Sequence, residues 1–219
     1  MDKILPVYKP VAMTSFDVIR AFKRSVHPNF KVGHGGTLDP FADGVLLLLL
    51  GQATKQMNEL SRLPKTYRAK ALLGASSDTL DKTGEIVNGR YAKIKRTELS
   101  KAIEKFHGEI MQQIPNYSAT KINGVPRYKL ARAGKAMESK AKLVTIYSIS
   151  ILHMDAQSVE YECCVSAGTY IRQLSFDILH SLGCDSYLES LTRTAIGHYD
   201  LLSCVKIEDF TNLETAISR

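Results

Sequence analysis

The chain has 219 residues, 44% of them hydrophobic, which suits one large domain or one domain carrying an insertion. No apolar stretch approaches the roughly 18 residues a membrane-spanning helix needs, and the N-terminus lacks the apolar core and small-residue cleavage site of a signal peptide. The net charge of +7 points to a polyanionic partner, with plain solubility as the blander reading, and four cysteines without C-x-x-C spacing fit free thiols in a reducing cytoplasm.

In chain order, residues 4–8 read as a short strand. Thr14-Ser15-Phe16-Asp17 fits a capping box. Phe16, Ile19, Phe22 and Val26 recur at the spacing of one helix face, so a helix is expected over 14–26. The leucine run makes 45–50 a buried strand, 53–63 is amphipathic through Met57 and Leu60, and 67–73 is a strand ending at Gly74. A helix over 97–106 carries Leu99, Ile103 and Phe106 on one face, with Gly108 in C-terminal position. Segments 144–152 and 159–165 are rich in β-branched and aromatic residues and read as strands; 171–182 is a helix stopped by Gly183. Strands and helices mix without strict alternation. The expected fold is α+β, a mixed, largely antiparallel sheet with helices packed on its faces.

Segment 116–142, NYSATKINGVPRYKLARAGKAMESKAK, is different. It sets Lys121, Arg127, Lys129, Arg132, Lys135, Lys140 and Lys142 against the single acid Glu138, with Tyr117 and Tyr128 interleaved. It sits like an insertion between a helix and a strand. It reads as a basic arm on nucleic acid, cations for phosphate and aromatics for stacking, or else as a solvated loop.

Several chemistries are not offered. GQATKQ lacks P-loop spacing, and there is no G-x-G-x-x-G, G-x-S-x-G or H-E-x-x-H. The histidines are scattered, so no metal site is expected. In SDTLDKTG the calcium-loop pattern is incomplete, and Asp78 and Asp81 read as turn-formers. What remains is Asp39 on a glycine-rich corner before the leucines, Arg172 in GTYIRQL, Tyr67 in KTYRAK, and the basic character.

Together these stretches resemble the TruB family of tRNA pseudouridine synthases. The family pattern G-H-x-G-T-L-D-P-x-A-x-G-V-L…G-x-A-T-K is met by Gly33, His34, Gly36, Thr37, Leu38, Asp39, Pro40, Ala42, Gly44, Val45, Leu46, Gly51, Ala53, Thr54 and Lys55. YKPVAMTSFDVI is similar to the family's K-P-x-G-x-(T/S)-S segment, with Ala12 where glycine is usual. TYRAKALLGASSDTLDKTG, YSATKINGVPRYKLARAG and SAGTYIRQLSFDI are similar to three further family segments in the family's order, the second being its tRNA-gripping arm.

The resemblance implies isomerisation of uridine 55 in the T-loop of tRNA to pseudouridine, on a flipped-out base, with no metal or cofactor. Asp39 would be the nucleophilic or electrostatic carboxylate, acting on base or sugar. Arg172 would pair with it and keep it ionised in a dry pocket; a cation at a helix start is disfavoured by the dipole, so it suggests a paired carboxylate. Tyr67 would stack on the base and relay the carbon-5 proton, Leu191 would cover its other side, and His34 would fill the space the flipped nucleotide leaves. Lys9 and Tyr170 would line or support the pocket. Lys121, Arg127, Tyr128, Lys129 and Arg132 would grip RNA. The expected organisation is a single catalytic domain over 1–219, with the arm at about 116–142 and no C-terminal PUA domain. The expected molecule is cytoplasmic, off the membrane, and a monomer needing no protein partner. A non-catalytic RNA-binding, tRNA-folding module of the same fold and a guide-RNA-directed synthase are the competing readings.

Overall fold

The structure is a computed structural model that describes residues 2–135 and 137–212. Its elements are β1 (Lys3–Lys9), α1 (Ser15–Val26), β2 (Val32–His34), β3 (Asp43–Leu50), α2 (Met57–Arg62), β4 (Lys65–Leu73), β5 (Ala75–Ser77) and β6 (Ile86–Asn88). There follow α3 (Arg96–Glu104), β7 (Gly108–Gln113), β8 (Lys121–Ile122), β9 (Val125–Pro126), α4 (Arg127–Arg132), β10 (Ala141–Met154), β11 (Ser158–Val165), α5 (Ile171–His180), β12 (Ser186–Ile196) and β13 (Tyr199–Asp200). Strand pairing is mostly antiparallel, as expected for the α+β class. Two compact units divide the chain: Met1–Arg68 with Leu191–Arg219, and Ala69–Ser190. No helix among the described residues is long and apolar enough to cross a membrane.

In the first unit, β1 runs antiparallel to β3 from Lys3↔Leu50 to Lys9↔Gly44. β2 pairs antiparallel with the far end of β3, and β12 joins β3 in parallel at Thr192↔Asp43 and Arg193↔Gly44. The leucine run is buried on both faces, because successive strand residues point opposite ways. Leu46, Leu48 and Leu50 pack with Val18, Ile19 and Phe22 of α1 and with Phe210. Val45, Leu47 and Leu49 pack with Leu60 and Ile196. Helix α1 opens with the predicted capping box: Thr14 Oγ1 accepts the Asp17 N–H and the Asp17 carboxylate accepts the Thr14 N–H. One expectation fails here. Phe16 is 59% exposed and takes no part in the helix's buried face.

In the second unit the strand order is β4–β11–β10–β7, with β5–β6 and β8–β9 as separate hairpins. Helices α3 and α5 bury Leu99, Ala102, Ile171, Leu174 and Ile178.

The longest strands the sequence reading omitted are β12 and β7; shorter pieces such as β2, β5, β6, the β8–β9 hairpin and α4 were omitted with them. β7 lies between Gly108 and the basic segment, and β12 carries charged and hydroxyl residues through its exposed positions, so neither shows the apolar density that marks β10 and β11. The amphipathic stretch at 53–63 divides into a 3-10 turn, Gly51–Gln56, followed by α2.

Candidate active site

The corner bearing Asp39 lies between β2 and β3, and four neighbours tie it down within the first unit. Arg193 on β12 is 1% exposed, and its guanidinium donates to the carbonyls of Val45 (2.7 Å), Thr37 (3.2 Å) and Gly36 (3.3 Å). Lys9, at the end of β1 and fully buried, donates from Nζ to the carbonyls of Pro10 (2.9 Å), Met13 (2.8 Å) and Ala42 (2.6 Å). Ser15 Oγ accepts the Leu38 N–H at 2.9 Å. The Ala12 N–H donates to the Pro40 carbonyl at 2.7 Å. The Lys9 bond to Ala42 and the Arg193 bond to Val45 are buried, so there the cations satisfy acceptors that cost about 1–3 kcal/mol each when orphaned. Gly36 at φ 108° and Gly44 at φ 109° supply the left-handed bends.

Asp39 is half-buried at the tip of this corner. Burial depresses the Lys9 ammonium to about 8, while Asp43 and Asp39 nearby draw it upward. All three donors of Lys9 are used on backbone, so the residue supports the loop. His34, at the end of β2, is half-buried, and its Nδ1 is buried with no hydrogen-bond partner among the described residues. Burial, and then the Arg193 charge, push its pKa below the ordinary histidine value, which favours a neutral ring. Tyr67 on β4 is 8% exposed, and Leu191 on β12 is buried on the same strand face as Arg193, two residues on. Lys9, His34, Asp39, Tyr67 and Leu191 of the expected set all belong to the first unit. It adds Arg193, which the sequence reading passed over; the signal was an arginine at an inward position of a strand that had itself been missed.

The second unit holds Arg172. It is 5% exposed, in the first turn of α5, and its guanidinium donates to the carbonyls of Thr79 (2.6 Å) and Tyr117 (3.0 Å). Within this unit its carboxylate partner is Asp81, at 3.4 Å. Asp81 is buried and also accepts from the Thr83 N–H and the Thr79 and Thr83 hydroxyls. A helix-start arginine called for a carboxylate, and Asp81, read from sequence as a turn-former, is one. Tyr170 sits at the N-cap of the same helix. Its backbone is held on both sides by the Gln112 amide (3.0 and 2.8 Å), its hydroxyl meets Thr120 Oγ1 at 2.8 Å, and the Lys142 ammonium lies 4.1 Å from its ring centroid.

The basic segment is a small folded piece. β8 and β9 form a hairpin across Asn123 (φ 49°) and Gly124 (φ 82°), the two positive-φ residues such a two-residue turn needs, and α4 follows. Lys121, Lys129 and Arg132 are exposed, and the Arg132 guanidinium lies 5.7 Å from the Tyr128 ring centroid. Arg127 is placed otherwise. It is 1% exposed and donates to Asn116 Oδ1 (3.0 Å) and the Glu138 carbonyl (3.1 Å), so it braces the arm from inside.

Residues 23–171 match the family model described as TruB family pseudouridylate synthase (N terminal domain). The tRNA pseudouridine synthase B of Clostridium acetobutylicum is 41% identical over 209 residues, spanning 95% of this chain and 72% of that protein. Its counterpart in Dehalococcoides mccartyi is 41% identical over 217 residues, spanning 99% of this chain and 71% of that one. Among solved structures, an archaeal box H/ACA sRNP Nop10–Cbf5 complex superposes with a TM-score of 0.71 at 26% identity, over 99% of this chain and 55% of the matched chain.

Proposed function

The chain belongs to the TruB family of pseudouridylate synthases, and from that premise we propose that it isomerises uridine 55 in the T-loop of tRNA to pseudouridine. The bond from the ribose C1′ to N1 of uracil breaks, a bond from C1′ to C5 forms, the C5 proton leaves, and N1 takes up a proton in its place. Nothing is gained or lost in sum. The observation that carries this reading is the immobilised corner at Asp39, whose neighbours on both sides are fixed by Lys9, Ser15 and Arg193. Rigidity of that kind holds a carboxylate in place before substrate arrives, which is where preorganised electrostatics gains its effect.

In this reading Asp39 is the catalytic carboxylate. Tyr67 stacks on the flipped base and relays the proton, Leu191 covers the opposite side, and neutral His34 enters the gap left in the RNA. Arg172 and Tyr170 bind substrate from the helix start of α5, and Lys9 supports the corner. The arm at about 116–142 grips the T-arm through Lys121, Tyr128, Lys129 and Arg132, with Arg127 as its brace. The enzyme works as a cytoplasmic monomer; its four cysteines are free thiols, as a reducing compartment would keep them.

The test is tritium release from tRNA transcripts labelled at C5 of uridine. Wild type should release one equivalent. Asp39→Asn should lower the rate by at least about 10³-fold while binding tRNA with similar affinity. Tight binding without release by wild type would instead favour a tRNA-folding module.

A further inference from the structure

Helix α1 exposes a face that the core does not use. Its buried residues are Ser15, Val18, Ile19, Ala21, Phe22 and Val26. On the other side, Phe16, Arg20 and Lys23 are all exposed, and their i, i+4, i+7 spacing places them within an arc of about 60°. The Arg20 guanidinium lies 5.5 Å from the Phe16 ring centroid, and Arg20 also pairs with Asp17 at the edge of the stripe. Val11, on the turn entering α1, is 53% exposed as well. A phenylalanine left 59% in water does little for stability here.

Position gives the stripe its meaning. Ser15, the residue before Phe16, is hydrogen-bonded to Leu38, and Ala12 to Pro40, so the two neighbours of Asp39 are both bound to the segment that leads into α1. We propose that Phe16, Arg20 and Lys23 form a second RNA contact, in which Phe16 stacks on a base flanking the target nucleotide and the two cations follow the adjoining phosphates. This rests on the pseudouridine synthase reading above. The occupant is the substrate RNA strand because the surface combines what single-stranded RNA needs: an exposed aromatic face, cations in line with it, and continuity with the Asp39 corner. From Phe16 to Lys23 the helix rises about 10 Å, enough to follow one or two phosphates.

The test measures binding of a T-arm stem-loop RNA to the full chain carrying Asp39→Asn, so that affinity is read apart from turnover. Adding Phe16→Ala should weaken Kd about five- to tenfold with the melting temperature unchanged, and Phe16→Tyr should restore affinity. Arg20→Ala with Lys23→Ala should lower the slope of log Kd against log salt by between about one and two. Unchanged affinity and slope, beside normal tritium release by wild type, would overturn the stripe and leave the enzyme reading standing. A lowered melting temperature without selective loss of affinity would also overturn it, by making Phe16 a packing residue. Failure of wild type both to bind this RNA and to release tritium would remove the enzyme reading and the stripe together.

Discussion

A methyl group on Gly44 would lie 2.2 Å from the backbone oxygen of Arg193 and 2.8 Å from its backbone nitrogen. β3 and β12 therefore approach at this point as closely as a glycine allows, and the approach brings the Arg193 side chain under the Asp39 corner, where it reaches Thr37 and Gly36. Gly44→Ala has no cheap relief, since the clash is with backbone and φ is 109°. It should cost about 3 kcal/mol or more, read as a lowered denaturant midpoint. Stability within 1 kcal/mol of wild type, on the order of the commonest mutational effect, would show that the strands are not held this tightly.

Ala12 has φ 65°, in the left-handed region where a Cβ is strained. The related family pattern places glycine there, and the Ala12 N–H is committed to the Pro40 carbonyl, so the chain cannot simply relax. Ala12→Gly should raise stability by about 0.5–1 kcal/mol, the relief of about 1–2 kcal/mol of strain less the added freedom of glycine in the unfolded chain. Differential scanning calorimetry checks the sign. A fall in melting temperature would mean that the residue is not strained.

The parts of the fold legible in sequence were those with strong local signals. The capping box at Thr14–Asp17 and the buried leucines set α1 and β3 correctly. β12 was not legible, because its inward residues Ser186, Leu188, Leu191 and Arg193 mix hydroxyl, aliphatic and cation. With that strand went Arg193, whose role depends on a pairing about 150 residues distant in sequence, and no local pattern reports such a pairing. Phe16 misled for a related reason. Helical spacing identifies a face, but two faces of α1 contain aromatic residues, and only packing against β3 decides that Phe22 goes inward. The second-unit cluster shows the same limit: Asp81 is a turn residue by sequence, and its bond to Arg172 is a fact of tertiary structure.

His34 gives a pH signature. Burial and the Arg193 charge lower its pKa in the folded protein, whereas the unfolded chain titrates it near the ordinary value of about 6.5. As pH falls through that value the unfolded state takes up a proton that the folded state resists. Stability contributed by the neutral ring is therefore present above about pH 6.5 and is lost below it. His34→Gln removes this dependence, so the stability of wild type relative to the variant should decline between about pH 7.5 and 5.5. A constant difference, measured by urea denaturation across that range, would place His34 in a solvated setting.

The arm separates into cations that face outward and one that does not, and salt dependence distinguishes them. Lys121, Lys129 and Arg132 are exposed, so replacing all three with alanine should weaken tRNA binding and lower the slope of log Kd against log salt by about two. Arg127 is buried between Asn116 and the Glu138 carbonyl, and Arg127→Ala removes a brace. That variant should weaken binding by loosening the arm, with faster limited proteolysis inside 116–142 and less than a unit of slope lost. If instead the triple variant kept the full slope, the segment would be a solvated loop. If Arg127→Ala behaved like the outward cations, with the arm still resistant to protease, its guanidinium would have to be reaching phosphate.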